Sequence, residues 1–439
     1  MFNEQRDFTG HFKKYGCNFT TYDDGKVLKI QKANKSSDFS FEKFKKYIKN
    51  NIKLTVNSSK GLVFVDYFCV SIEWINESEY QLYYSFRIER FKGRECYSIT
   101  FNSPDIDVFG QHRDFVNDVC YGFDSGTVKT NHIKHVTNFK YNGKVYDIVI
   151  ENSFFSPQYM KTNLHFSTFF EVSSDNALTN DEIIKIVKWI KTFISFCTNR
   201  KNVDIPYIEL EDKKIGEEYP LCYGELYIPV FSNQHIYADY NSNRMIKLNS
   251  ISRYVGEFFS AITSGTISDL FISNETDSFN AKFVNTTARI QQLFRELIKN
   301  DSRFEIKDTN IYDKSVLGKR GKPTKVTLNF MISYLENYSE LDYDELFQEE
   351  LCYPSFFSIF DEYKEHHIDK IVKFRNDLCH GKQDEKREKQ IYYQICLKTL
   401  NCIIYGSIMK LIGVDSKDRT RALEQLINGT DLPSDAFYL

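Results

Sequence analysis

The sequence predicts an α+β protein in which an antiparallel, β-rich and sandwich-like domain over residues 1–245 precedes an all-α helical bundle over residues 246–439. Between residues 8 and 175, apolar side chains recur at every second position, as a sheet with one buried face requires. After residue 250 they recur with the period of an α-helix. A polar stretch, 241–249, separates the two patterns, and we place the domain boundary there.

Strands dominate the first domain. The clearest runs from residue 81 to 89, where four apolar positions alternate with mostly polar ones: Leu82, Tyr84, Phe86 and Ile88. A longer apolar run, Leu62 to Trp74, predicts a strand buried on both faces. Asn142-Gly143 lies between two further strands and predicts a tight hairpin turn, because both residues tolerate positive φ. His165 to Val172 gives another strand.

Two helices interrupt these strands. A short one is expected near Phe41 to Ile52. The second follows a capping box, Thr179-Asn180-Asp181-Glu182, and should pack across the sheet. Its apolar stripe at helical spacing consists of Ile183, Ile186, Val187, Ile190 and Ile194. Two more strands are expected, from Tyr207 to Leu210 and from Tyr223 to Val230.

The second domain is expected to be helical throughout. The predicted helices cover residues 252–262, 283–297, 326–338, 344–351, 356–378 (with a break near 366) and 388–412. Ile395 to Ile412 is apolar nearly all round, which predicts the central helix of a bundle. Gly413 is expected to end that helix, and one more short helix is expected in the tail.

The composition predicts a globular cytoplasmic protein without a metal site or a cofactor. The 439 residues are 41% hydrophobic with a net charge of −3, so the chain is globular and any nucleic-acid contact must come from a local basic patch. Ten cysteines without zinc-ligand spacing predict reduced thiols, a cytoplasmic location and no metal site. We expect no membrane contact, since neither a signal-peptide core nor an 18-residue apolar run is present. No cofactor is expected, because phosphate- and dinucleotide-binding glycine motifs are absent from the sequence.

The best candidate catalytic residues lie near the end of the helix predicted over 356–378. The segment Phe374-Arg375-Asn376-Asp377-Leu378-Cys379-His380-Gly381 carries a cation, an amide and an imidazole within six positions. Arg375 falls at helical spacing from Ile371, so its guanidinium points toward the face expected to be buried. Burying an unpaired cation is costly, so Arg375 needs a partner or a wet cleft.

This arrangement resembles the motif of the HEPN ribonucleases, in which arginine, a polar residue, three further residues and histidine follow one another. A β-rich domain before a helical domain resembles the ApeA-like anti-phage defence family. The resemblance implies a metal-independent endoribonuclease acting in abortive infection, with Arg375, Asn376 and His380 as catalytic residues. It also implies that the first domain senses a phage-derived trigger or restrains the nuclease, and that the substrate is tRNA or other single-stranded RNA. Paired motifs form one cleft in that family, so a homodimer is expected.

These residue types suit the cleavage of RNA without a metal. An imidazole titrates near neutrality and can transfer protons, and a guanidinium presents a planar fork to two phosphate oxygens. Asn376 would orient His380 or donate to the phosphate, while Asp377 would hold the imidazole tautomer or cap a neighbouring helix. Five residues of ideal helix advance about 7.5 Å and turn about 140°, so Arg375 and His380 do not share a face. Either the helix breaks by Gly381, or groups from two subunits meet.

Two other interpretations of the helical domain stay open. An arginine near a helix end often caps carbonyls, and a histidine before glycine is often a terminal polar residue. The domain would then be a catalytically silent module that binds RNA or a nucleotide. Alternatively, the chain is purely an interaction protein, in which the β domain binds a protein or glycan and the bundle dimerises.

A second candidate is the basic segment 313–325, which carries a formal charge of +4 because one aspartate opposes five cations. The cations are Lys314, Lys319, Arg320, Lys322 and Lys325. Its glycines and proline predict a loop that would follow an RNA backbone, and Lys382 would extend the patch. The alternative is a solvated hairpin tip without a partner.

His366-His367 is not expected to bind a metal. Adjacent histidines point to different sides of a helix, and no other ligand stands at a suitable spacing. We expect both to lie at the surface or at a helix break.

Overall fold

The computed structural model describes residues 10–23, 28–33, 39–49, 52–58, 61–76, 79–89, 95–103, 106, 133–155, 165–198, 203, 205, 207–214, 223–227, 251–265, 267, 279–308, 310–318, 321–346, 366–380 and 387–428. It contains both helices and antiparallel sheets, which confirms the mixed α+β class. The chain divides into two compact units, one formed by Met1–Lys191 and Asn202–Tyr237, the other by Thr192–Lys201 and Ala238–Leu439. The predicted boundary between residues 245 and 246 lies outside the described residues.

The described strands of the first unit form one antiparallel hydrogen-bonded network. They are β1 (Gly10–Lys14), β2 (Cys17–Asp23), β3 (Leu28–Lys32), β4 (Ile52–Ser58), β5 (Gly61–Asn76), β6 (Glu79–Glu89), β7 (Ser98–Phe101), β8 (Ile133–Tyr141), β9 (Lys144–Phe155), β10 (His165–Ser173), β11 (Tyr207–Glu211) and β12 (Tyr223–Tyr227). Their order is β1-β2-β3-β6-β12-β11-β7-β10-β9-β8, and β5 pairs with both β4 and β6.

The sequence patterns predicted seven of these strands individually, namely β5, β6, β8, β9, β10, β11 and β12. The alternating segment lies in β6, and the long apolar run lies in β5. The hairpin between β8 and β9 turns at Asn142 and Gly143, whose φ angles are 49° and 77°. Positive φ is costly for most side chains, which explains why this dipeptide marks the turn.

Two helices accompany the sheet, α1 (Phe41–Lys49) and α2 (Asn180–Thr198). The first ends before the predicted position, since Ile52 already begins β4. The predicted capping box of α2 is confirmed, because Glu182 Oε2 accepts from the Thr179 N–H at 2.8 Å and Thr179 Oγ1 accepts from the Glu182 N–H at 3.2 Å.

Helix α2 packs on the sheet, as predicted. The Trp189 ring lies 6.1 Å from Phe139 and 4.9 Å from Tyr141, measured between ring centroids. Glu182 forms an ion pair with Lys144 of β9 at 2.8 Å. The stripe residues of α2 are fully or nearly fully buried, and each contributes about 1.5–3 kcal/mol of hydrophobic stabilisation.

The second unit contains a short 3₁₀ turn and a set of packed helices. The elements after the turn (Ser252–Tyr254) are α3 (Val255–Thr263), α4 (Phe279–Ile298), β13 (Phe304–Lys307), β14 (Asn310–Leu317), β15 (Pro323–Lys325), α5 (Leu328–Ser339), α6 (Tyr343–Leu346), α7 (His367–Cys379), α8 (Arg387–Leu411) and α9 (Ser416–Asn428). Helix α8 packs against α4, α5, α7 and α9, so it is the central helix that its apolar composition predicted.

Close packing around α8 depends on a small residue. A Cβ at Gly406 would lie 3.1 Å from Leu341 and 3.2 Å from Ser339, so a larger side chain would force these neighbours apart. At the end of α8, Gly413 has a φ of 84° and stops the helix, as predicted.

The segment between α4 and α5 corrects the prediction of an all-α domain and of a loop over 313–325. Strands β13, β14 and β15 form a separate antiparallel sheet in the order in which they occur along the chain. These strands have three to eight residues, so their period-two pattern is too brief to stand out between helices. Phe304, Ile311 and Val326 are the buried residues that anchor the sheet.

In the part of the chain that the structure describes, the helices are too short or too polar to cross a lipid bilayer.

On the face of the first sheet opposite α2, polar side chains of three neighbouring strands lie side by side. On β11, Glu211 is directly across from Ser98, which in turn is across from Ser173 of β10. Burial, followed by the negative charge of Glu171, raises the pKa of Glu211 from 4.5 to about 7, although Lys213 opposes the shift.

Glu211→Gln is expected to stabilise the protein at pH 8 by on the order of 1 kcal/mol, after allowance for the partial exposure of Glu211, and to have little effect at pH 5. The folded-state pKa lies above the unfolded value of 4.5, so ionisation lowers the free energy of unfolding as pH rises through about 4.5 to 7. The neutral amide removes this loss. Urea unfolding at both pH values measures the effect.

Glu42→Gln, at an exposed position of α1, serves as the control and is expected to stabilise the protein at neither pH. Equal stabilisation by Glu211→Gln at pH 5 and pH 8 would contradict the assigned role of ionisation.

Candidate functional site

Helix α7 carries the candidate motif and is fixed on its inner side. Ile371 is fully buried, and Phe374 is 6% exposed. The Phe374 ring meets the edge of Phe283 on α4 at a centroid distance of 4.6 Å. Helix α7 also packs against α5 and α8. The candidate residues therefore begin at Arg375, directly after Phe374, the last buried residue of a helix that is packed against its neighbours.

The three predicted catalytic residues lie at the carboxyl end of α7. Arg375 is half-buried, whereas Asn376 and His380 are exposed. The Arg375 Nη1 donates to Asn376 Oδ1 at 3.2 Å. The Asn376 carbonyl accepts the backbone N–H of His380 at 3.0 Å. The Asn376 side chain is thus hydrogen-bonded to Arg375, whereas its bond to His380 is the ordinary backbone bond of an α-helix.

The helix ends at Cys379, and His380 is its carboxyl-terminal cap with φ −96° and ψ 8°. This agrees with the expected break by Gly381, although Gly381 itself lies outside the described residues. Asp377 is half-buried beside the motif. Among the described residues, no hydrogen bond joins the His380 imidazole to the Arg375 guanidinium or to the Asp377 carboxylate. One chain therefore presents a cation and an imidazole at the same helix end without pairing them.

This arrangement has a defined chemical capacity. Asn376 uses its side-chain oxygen on Arg375, so its amide N–H groups are the part that can donate to a phosphate or to an imidazole. The Arg375 guanidinium has five N–H donors, and one of them donates to Asn376. The remaining N–H groups can donate to an anion. An exposed imidazole can exchange protons with a bound substrate.

A second polar cluster lies at the opposite end of α7. The Glu336 Oε1 atom is 2.6 Å from His367 Nε2 and accepts a hydrogen bond from the Tyr343 hydroxyl at 2.5 Å. The His367 and Tyr343 rings are in edge contact at 5.2 Å. Burial, together with the charge of Glu336, raises the pKa of Tyr343 well above its ordinary value.

This cluster corrects the interpretation of His366-His367. Both lie at the start of a helix, which fits one of the two expected positions, and His366 is exposed. His367 is not at the surface, because it is largely buried and joins α7 to α5 and α6. No local sequence signal would have found it, because Glu336 is 31 residues away. Thirteen residues of helix separate His367 from His380 by about 20 Å, so the cluster is not part of the candidate site.

The predicted RNA-binding residues lie on the β13–β15 sheet where they are described. Lys314 lies on β14, Lys325 ends β15, and Lys322 precedes β15; all three are exposed. The other predicted members, Lys319, Arg320 and Lys382, lie outside the described residues.

Comparisons with known proteins add no family assignment. No protein-family model, curated protein or solved structure matches the chain. The resemblance to HEPN ribonucleases therefore stays a prediction based on the motif. Within the described ranges, His, Cys, Asp and Glu side chains do not assemble in groups of three or more that would hold a metal ion.

Arg375→Ala and His380→Ala are expected to change the free energy of unfolding by less than about 1 kcal/mol. Neither side chain is buried, and the Arg375 hydrogen bond lies at the exposed helix end. Phe374→Ala, on the same turn, should cost about 3–5 kcal/mol because it empties a packed position. Urea unfolding of the three variants makes the comparison, and a similar loss for Arg375→Ala and Phe374→Ala would show that the guanidinium serves the fold.

Proposed function

We propose that the chain is a metal-independent endoribonuclease of the HEPN type. The observation that carries the proposal is that Arg375, Asn376 and His380 lie at one accessible helix end, where the Arg375 guanidinium is hydrogen-bonded to the Asn376 side chain. A guanidinium, an amide and an imidazole in this arrangement supply phosphate recognition and proton transfer without a metal. The finer architecture that we propose is a sandwich-like amino-terminal domain followed by a HEPN helical bundle.

The proposed reaction begins with attack by the ribose 2′-hydroxyl on the adjacent phosphorus. An imidazole accepts the hydroxyl proton or returns a proton to the departing 5′-oxygen, and the products carry a 2′,3′-cyclic phosphate and a free 5′-hydroxyl. The Arg375 fork stabilises the negative charge that develops on the phosphoryl oxygens. Asn376 holds that fork in place and donates through its amide.

We further propose that the working site joins two copies of the chain. Within one chain the guanidinium and imidazole are not hydrogen-bonded to each other in the described residues. Both are accessible at the end of α7. A two-fold dimer through this end would place both motifs face to face, so that one scissile phosphate contacts groups from each subunit.

The biological role follows from the resemblance alone. We propose that the enzyme acts in abortive infection by cleaving tRNA or other single-stranded RNA in the cytoplasm. In this proposal the first domain, residues 1–245, responds to a phage-derived trigger and restrains the nuclease until then. Unpaired loops are the expected cleavage sites, because side chains reach their bases more easily than those of an A-form helix.

The competing proposal is a catalytically silent module that binds RNA or a nucleotide. It is favoured by the missing hydrogen bond between the Arg375 guanidinium and the His380 imidazole. In that case the two groups bind phosphate as independent donors.

The purified protein is expected to cleave total RNA in the presence of EDTA. Arg375→Ala and His380→Ala should each lower the cleavage rate by at least about 100-fold, because each removes a group that acts in the transition state. Lys373→Ala is the matched control, since it removes an exposed cation from the same helix. Gel analysis of the RNA over time measures the rates. Cleavage that requires Mg²⁺, or that survives both substitutions, would contradict the mechanism.

Mixing the two inactive variants tests the composite site. If one cleft draws on both subunits, a heterodimer of Arg375→Ala and His380→Ala chains keeps one guanidinium and one imidazole in that cleft. We expect mixing after partial denaturation to restore a measurable part of the wild-type activity, while each variant alone stays inactive. Light scattering should give twice the 51.8 kDa chain mass. Without any recovery in a confirmed heterodimer, each chain would have to carry its own complete site.

A further inference from the structure

The sheet formed by β13, β14 and β15 has a fixed base. Phe304 of β13 contacts the rings of Phe294, Phe330 and Tyr334 at centroid distances of 5.6–6.3 Å. The backbone N–H of Lys314 donates to the Arg303 carbonyl at 2.8 Å. An aromatic cluster of this kind holds the sheet firmly against α4 and α5.

The other end of the sheet projects into solvent. Residues 314–317 of β14 are exposed one after another. Two of them are aliphatic, with Val316 51% and Leu317 65% exposed. The projecting hairpin is closed by hydrogen bonds, because the Gly318 N–H donates to the Lys322 carbonyl at 2.8 Å and Leu317 pairs with Pro323. We call the described residues 314–318 and 321–325 the basic hairpin.

Among the described residues, the aspartate beside the basic hairpin forms no ion pair with its lysines. Asp313 is 9% exposed and lies at the base of the hairpin. Its Oδ1 atom accepts from the Ser315 N–H at 2.8 Å and from the Ser315 hydroxyl at 2.5 Å. The carboxylate is thus held inward, while Lys314, Lys322 and Lys325 face solvent.

We propose that the basic hairpin is an arm that binds an unpaired segment of RNA. The lysines contact the phosphates, and Val316 and Leu317 lie against the faces of unstacked bases or riboses. The lysines alone would serve a duplex equally well, but exposed aliphatic side chains gain more contact area against unstacked bases than against the surface of a helix. This inference rests on the proposed nuclease function for its substrate and adds a binding element outside the Arg375–His380 motif.

A second copy of the chain fits the basic hairpin less well. An isologous two-fold contact through this surface would bring the same lysines of both copies together. Like charges at close range oppose such a contact, whereas a polyanion is attracted by them. The combination of exposed aliphatic residues and unopposed lysines therefore favours RNA.

The test measures RNA binding by the full chain carrying His380→Ala, so that cleavage does not interfere. Fluorescence anisotropy with oligouridine, and with its duplex with oligoadenine, is followed over a salt titration. Lys322→Gln/Lys325→Gln should weaken binding to oligouridine and to the duplex. In the oligouridine titration it should also reduce the slope of the logarithm of the binding constant against the logarithm of the salt concentration, by about 0.7 for each lysine. Lys417→Gln/Arg421→Gln, at exposed positions of α9, is the matched control and should have no such effect.

Val316→Ser/Leu317→Ser separates an unpaired from a paired ligand. It should weaken oligouridine binding several-fold and leave duplex binding unchanged. The proposal would be overturned if the hairpin lysine variant and its α9 control weakened RNA binding equally. It would also be overturned if the serine variant bound oligouridine as tightly as the parent protein. A serine variant that loses dimerisation in light scattering but keeps its RNA affinity would overturn it too, since the basic hairpin would then join two copies.

RNA binding by the basic hairpin and RNA cleavage by the motif can fail independently of each other. If oligouridine binding depends on the basic hairpin but the protein with His380 intact does not cut RNA, the arm is supported and the nuclease function is not. If RNA is cut while the lysine variant binds like its control, the nuclease stands and the arm is rejected.

Discussion

The proposed site depends on the hydrogen bond from the Arg375 guanidinium to the Asn376 side-chain oxygen. The Asn376 carbonyl also accepts the backbone N–H of His380, which is an ordinary bond of the α-helix. Each such bond at a solvent-exposed helix end is worth only about 1 kcal/mol, so local geometry and not deep burial organises the motif. In the proposed mechanism the Arg375 guanidinium stays hydrated until a phosphate replaces the water, which avoids the cost of burying an unpaired cation.

The precision of the motif comes from the packing of α7. Phe374 fixes its second half against α4, and the Glu336–His367–Tyr343 cluster fixes its first turn about 10 Å away. A helix held at two points keeps its exposed terminus in one position. A firmly packed helix with an exposed end suits a polymer such as RNA as the proposed substrate, because a polymer is too large to enter a closed pocket.

The sequence predicted those features of the fold that depend on neighbours along the chain. Alternation identified β6, the Asn142-Gly143 turn placed the β8–β9 hairpin, and the Thr179–Glu182 capping box placed the start of α2. Long-range features were missed. The short strands β13 to β15 are stabilised by packing against α4 and α5, and the partner of His367 is distant in sequence. The motif itself was found because its residues are close together in the sequence, but the proposed pairing of two motifs across a cleft depends on contacts that no local pattern encodes.

The most direct test of the central claim is the chemistry of the RNA ends left by the wild-type protein. Sequencing and end-labelling of RNA after induced expression would identify both the cleaved sites and their termini. We expect 2′,3′-cyclic phosphates and 5′-hydroxyls at unpaired positions, and their absence when Arg375 or His380 is replaced. Ends with 3′-hydroxyls and 5′-phosphates, or no new ends at all, would contradict a nuclease built on one guanidinium and one imidazole.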